Sequence, residues 1–135
     1  EVAQIVKQCD ESGKLFGVGC DPAGIGAILD RIEANGVKPD KLHGVSQGWR
    51  LGGAIMTLER RLAEGGFVHA DQKMMDWCVG NAKVEQRANS ILITKQASGK
   101  AKIDPVIAMF NATHLMATNP AAMNRRLIMG MLGGR

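Results

Sequence analysis

Apolar and polar positions alternate along the chain with two different periods, and the periods predict its elements. Val2, Ile5, Val6 and Cys9 recur at i, i+3, i+4 and i+7, one face of an amphipathic helix over residues 1–9. Ser12-Gly13 ends it. Leu15 to Cys20 is a nearly continuous apolar run, the signature of a short buried parallel strand. Asp21-Pro22 follows, a pair suited to opening a helix, since Asp caps well and Pro fits the first helical position. Ile25, Ile28, Leu29 and Ile32 line one face of that helix, and Gly36 closes it. Leu42 to Ser46 is a second short strand, and Gln47-Gly48-Trp49 a loop. From about Gly53 a third helix carries Ile55, Leu58 and Leu62 inward, with Gly65-Gly66 at its end. The order helix, strand, helix, strand, helix implies right-handed crossovers onto a mostly parallel sheet.

The second half reads differently. Phe67 to His69 is briefly extended, and Asp71 to Val79 is a short helix. Ala82–Gln86 and Ser90–Lys95 flank Arg87-Ala88-Asn89, which predicts a β-hairpin. Gln96 to Lys102 is a polar loop. Asp104-Pro105 opens a last helix to about Thr118, apolar on most sides and ended by Asn119-Pro120. No repeat divides the chain. One domain over residues 1–120 is the simplest division, with a tail over 121–135.

Composition narrows the function classes. The chain has 135 residues, enough for a core of its own. No apolar run approaches the ~20 residues of a membrane span. The three cysteines, Cys9, Cys20 and Cys78, lack CxxC spacing, so they predict buried free thiols rather than a disulfide framework or zinc knuckle. There is no Tyr and only 3 Phe, which argues against an aromatic platform for single strands. No phosphate-binding GxxxxGK[ST] loop occurs, and Gly24 and Gly26 fall inside the second predicted helix rather than in a GxGxxG turn. Ser46 has no base beside it, which excludes a Ser-His-Asp hydrolase reading. His114 and Trp77 read as packing residues.

Charge is uneven. Between Asn81 and Lys102 stand Lys83, Arg87, Lys95, Lys100 and Lys102 against Glu85 alone, so this segment carries the whole formal net charge of +4. A basic hairpin and loop leading into Asp104 suits a phosphate backbone, although a solvated loop has the same spacing. Asp21 follows a buried strand, where open α/β sheets place ligands. Asp21 and Asp104 together could hold Mg²⁺ or Mn²⁺ through hard oxygen donors, while as separate residues they could be ordinary helix caps. His69 is a further candidate for a metal or phosphate contact.

The ordered set from His69 through Trp77-Cys78-Val79-Gly80-Asn81, Ile93-Thr94-Lys95 and Lys102-Ile103-Asp104, with the apolar helix behind it, resembles the nuclease domain of tailed-phage terminase large subunits. The strand ending in Asp21-Pro22 and the strand ending near Gln47 match the same order, so the resemblance covers residues 15–118. It implies an α/β, ribonuclease H-like mixed sheet flanked by helices and a DNA endonuclease that cuts genome concatemers during packaging. It implies two divalent ions, Mg²⁺ or Mn²⁺, with Asp21 as the second acidic ligand, Asp104 as the third and His69 as a further catalytic residue. It makes Lys83, Arg87, Lys95, Lys100 and Lys102 DNA-binding. It implies double-stranded DNA as partner, with the terminase small subunit and portal acting in the whole protein, in the host cytoplasm. The family's first strands, which carry the first catalytic carboxylate, have no counterpart here, so the domain is expected to be N-terminally incomplete and this chain alone weakly active or inactive. Asp10 and Glu11 end a helix and do not supply the missing acid. Another ribonuclease H-like nuclease or integrase, or an inactive DNA- or protein-docking module, are the alternatives.

Overall fold

The computed structural model describes residues 1–96 and 100–118. Five α-helices and four strands follow in chain order: α1 (Val2–Glu11), β1 (Val18–Cys20), α2 (Gly26–Glu33), β2 (Leu42–Gly44), α3 (Gly52–Ala63), α4 (Lys73–Gly80), β3 (Ala82–Arg87), β4 (Ser90–Lys95) and α5 (Asp104–Ala117). The molecule is α/β. The proposed tail over 121–135 lies outside the described residues.

β1 and β2 pair in parallel, Val18 opposite Leu42, Gly19 opposite His43 and Cys20 opposite Gly44. The ladder extends one bond further, from the Val45 amide to the Cys20 carbonyl at 2.8 Å. α2 is the crossover between them. β3 and β4 form an antiparallel hairpin with Arg87 opposite Ser90, so Ala88 and Asn89 make the turn. Among the described residues these are two separate two-stranded sheets, where the sequence predicted one mixed sheet. The reason lies in what fills the space beside the hairpin. The Gly48–Leu51 3-10 turn and the start of α3 run against β4, where the main chain of Ile91 faces Gly52.

Two apolar clusters hold the elements. The main one joins Val45, Leu51, Ala54, Ile55, Leu58, Cys78, Val106 and Phe110, with Ile91 and Ile93 of the hairpin packed on it. α5 supplies its centre through Val106 and Phe110, four residues apart on one helix face. A smaller cluster of Ala3, Ile32 and Val37, with Val6 and Leu42 beside it, fastens α1 and α2 to the parallel pair. An ion pair from Lys41 to Asp10, both partly buried, ties the end of α1 to the turn before β2.

Several expectations change. α2 begins at Gly26 rather than at Pro22. Asp21 turns its carboxylate onto the amide of Ala23 (3.0 Å), and Gly24 then takes a positive φ of 72°, which stops a helix from starting there. α5 is buried along one stripe, not on most sides, and His114 is exposed, one turn beyond the core residue Phe110. Trp77 is exposed too, because the eight-residue α4 reaches the core through Cys78 and Met75 alone. Cys9 is exposed, whereas Cys20 and Cys78 are buried as free thiols.

Candidate functional site

The position of α5 relative to the parallel pair decides where the two Asp-Pro carboxylates stand. β1 can approach α5 closely because its middle residue is Gly19. A Cβ there would lie 3.2 Å from the Asn111 carbonyl oxygen, 3.2 Å from a Leu115 methyl and 3.1 Å from Val45. Further along the strand direction, past the end of β2, the Gln47 amide donates to Asn111 Oδ1 at 3.1 Å. Gln47 also lines a small pocket of 170 Å³ with Ile107 and Phe110. Contacts thus move from Leu115 to Asn111 to Ile107 as the strands advance. α5 therefore runs antiparallel to β1 and β2, and its first residue, Asp104, lies at the end where Asp21 leaves β1.

Asn111 is buried at 5% exposure in a mostly apolar core, and Gln47 satisfies it. The same Gln47 nitrogen donates to the Val45 carbonyl at 2.8 Å. This shared donor sets the height of α5 against the strand ends. A polar residue inside an apolar helix stripe was visible in the sequence, and its distant partner was not.

Both carboxylates are exposed. Asp21 commits one oxygen to the Ala23 amide, leaving the other open. Asp104 is the first residue of α5 and makes no side-chain capping bond, so it is not the ordinary cap that its position also allowed. Beside Asp21, burial pushes the Cys20 thiol up, so it stays protonated at neutral pH and offers no soft thiolate. The donors at this end are hard oxygens, which suit Mg²⁺ or Mn²⁺ in kind. They are two in number. Among the described residues no group of three or more His, Cys, Asp and Glu side chains is close enough to hold an ion. Two carboxylates are fewer than the ligands a divalent ion ordinarily takes.

His69 stands elsewhere. It lines an apolar groove with Leu62, Phe67, Met75, Val79 and Met109, which neither aspartate lines. Its ring stacks on Phe67 at 6.2 Å, and its Nδ1 lies 3.3 Å from the Ala70 carbonyl.

The basic residues are all exposed, Lys83, Arg87 and Lys95 on the hairpin and Lys100 and Lys102 after it. The Asn81 side-chain amide donates to the Lys102 carbonyl at 3.2 Å, and Gln96 donates from its side chain to Gly80 and from its main chain to Asn81, both at 2.9 Å. These bonds close the base of the hairpin and loop and fix Lys102 two residues before Asp104. On β3, Lys83, Glu85 and Arg87 share one face. Glu85 lies 3.6 Å from Lys83 and 3.4 Å from Arg87. A hydrogen bond from Thr94 (3.2 Å), then one from Arg87, hold its carboxyl below the usual range. The hairpin face is therefore partly self-neutralised, whereas Lys95, Lys100 and Lys102 make no ion pair among the described residues.

Residues 4–119 match the family model of the terminase large subunit endonuclease domain. The chain belongs to that family. The terminase large subunit of Lactococcus phage p2 is 28% identical over 109 residues, covering 78% of this chain and 20% of that protein. The chain thus spans one fifth of the length of that relative. No solved structure matches this terminase domain. No helix among its described residues is long and apolar enough to cross a membrane.

Proposed function

We propose that this terminase domain is a metal-dependent endonuclease on a ribonuclease H-like fold that cuts double-stranded DNA concatemers during genome packaging. The observation that carries the reading is the antiparallel run of α5 against the parallel pair. It supports a shared end for Asp104 and Asp21, with Lys102 two residues before Asp104. Asp21 and Asp104 would hold Mg²⁺ or Mn²⁺, and the remaining acidic ligand comes from outside the described residues. Bound divalent ions would activate a water and stabilise the leaving oxygen of the phosphodiester. The chain's own part is positioning. Asp21 and Asp104 would supply negative oxygens, and the Asn81 amide holds the main chain of Lys102. Lys95, Lys100 and Lys102 neutralise the backbone of the DNA being cut, with Lys83 and Arg87 reaching along the hairpin. In the whole terminase, the small subunit and portal would set when and where it cuts, in the host cytoplasm.

The test is nicking of supercoiled plasmid with Mn²⁺, by this chain and by a version extended with its upstream coding sequence. Weak or no nicking by the chain alone and strong nicking by the extended protein are expected. Asp21→Asn or Asp104→Asn should lower the extended protein's activity by at least about a hundredfold, more than loss of a supporting residue around a metal. An extended protein that is inert, or that is indifferent to both substitutions, would overturn the reading. The second reading is a docking module without cleavage. Asp21's commitment to its own turn favours it, and DNA binding without any Mn²⁺-dependent nicking in the extended protein would establish it.

A further inference from the structure

The 3-10 turn after β2 and the tip of the β3–β4 hairpin border a surface cleft of about 470 Å³, lined by Trp49, Gly53, Gln86, Ala88 and Asn89 among others. Among the described residues no carboxylate lines it. Trp49, one of only two tryptophans, is 62% exposed at its mouth. The guanidinium of the exposed Arg50 lies over its ring, 5.2 Å from the centroid, so a cation and an aromatic face stand together at the rim. On the opposite wall, Gln86 and Asn89 bring amide side chains. Ala88 holds a positive φ of 43° at the hairpin tip, a conformation that a non-glycine residue seldom adopts. Gly53 offers no side chain, and the space above it is open.

A large aromatic left in water, backed by Arg and faced by amides, has the chemistry of a nucleic-acid contact. The indole packs against a sugar, the guanidinium takes a phosphate, and the amides take backbone oxygens. We propose that this cleft is a second DNA-contacting site, with Trp49 and Arg50 as its principal contacts. It rests on the DNA reading above and lengthens that interface. By strand alternation Gln86 faces the cleft, while Lys83 and Arg87 face the other side of the same hairpin. A bound strand therefore passes around the hairpin tip.

The experiment uses Trp77→Phe, which leaves Trp49 as the single tryptophan and alters an exposed position. A short labelled duplex is titrated with this protein while anisotropy and indole emission are recorded together. Quenching of Trp49 in step with the anisotropy rise is expected. Trp49→Ala should weaken binding about fivefold or more, the scale of one aromatic stack. Arg50→Gln should lower the salt-dependence slope by about one, as for one lost phosphate contact. Both variants should keep the parent's melting temperature, since both side chains are exposed. Duplex binding with unchanged Trp49 emission, and with affinity unaltered in Trp49→Ala and Arg50→Gln, would overturn the second site and leave the basic hairpin as the interface. No binding even at low salt would overturn both.

Discussion

The parallel pair and the hairpin are both two-stranded, yet they owe their geometry to different sources. β1 and β2 have three residues each and a crossover helix between them. So short a pair is fixed by what packs on it, here α5 across Gly19 and the smaller cluster at Leu42. β3 and β4 have six residues each, joined by a two-residue turn, so their register is set locally. The end that carries Asp21 therefore depends on a distant helix, while the arm that carries Lys83 and Arg87 is placed by its own sequence.

The largest effect that would break the distinction is loss of the shared core. Phe110→Ala should cost about 3–5 kcal/mol, as for a buried Phe, and loosen both regions together. Thermal unfolding checks this, and a drop confined to either region would show that the core is not shared. Next is Gly19→Ala, which forces a methyl against the Asn111 carbonyl, Leu115 and Val45 for about 1–3 kcal/mol. Hydrogen exchange should then speed at the β1–β2 amides and stay slow in the hairpin. Equal acceleration in both would erase the contrast. Smaller again is Asn111→Ala. It strands one Gln47 contact for about 1 kcal/mol and should lower Mn²⁺ affinity by shifting α5 against the strand ends.

The local arm and the packed end also differed in how plainly the sequence announced them. The hairpin was legible almost residue for residue, because alternation around Arg87-Ala88-Asn89 is a local signal. The order of helices was legible for the same reason. Asp21 and Asp104 could be singled out by their Pro neighbours. That they share one end follows from Gly19 and from the Gln47–Asn111 bond, which joins residues 64 positions apart and leaves no periodic trace. The start of α2 was misplaced because Asp21 caps its own turn, a choice that an Asp-Pro pair leaves open. Trp77 and His114 looked like core because periodicity gives a face but not the depth of what lies behind it. Exposed Trp49 sat in a loop where no pattern marked it.

The smallest effect concerns the hairpin's charged face. Glu85 is held below the usual carboxylate range by Thr94 and Arg87, so its contribution to hairpin stability is present above its unfolded pKa and fades as pH falls through its lower folded value. Thr94→Val should raise the Glu85 titration midpoint toward the ordinary value, read by carboxyl NMR. The chemical shifts of the β1–β2 amides should not follow it. If they do, the two regions are coupled more tightly than their packing implies.

Asp21 and Asp104 are proposed to form one site, and Mn²⁺ binding measured by electron paramagnetic resonance tests this most directly. Wild type, Asp21→Asn, Asp104→Asn and the double variant are compared. Weak binding in the wild type, loss of the bound fraction in either single variant and no further loss in the double variant are predicted. Retention of the wild-type bound fraction in either single variant, or losses that simply add, would contradict it.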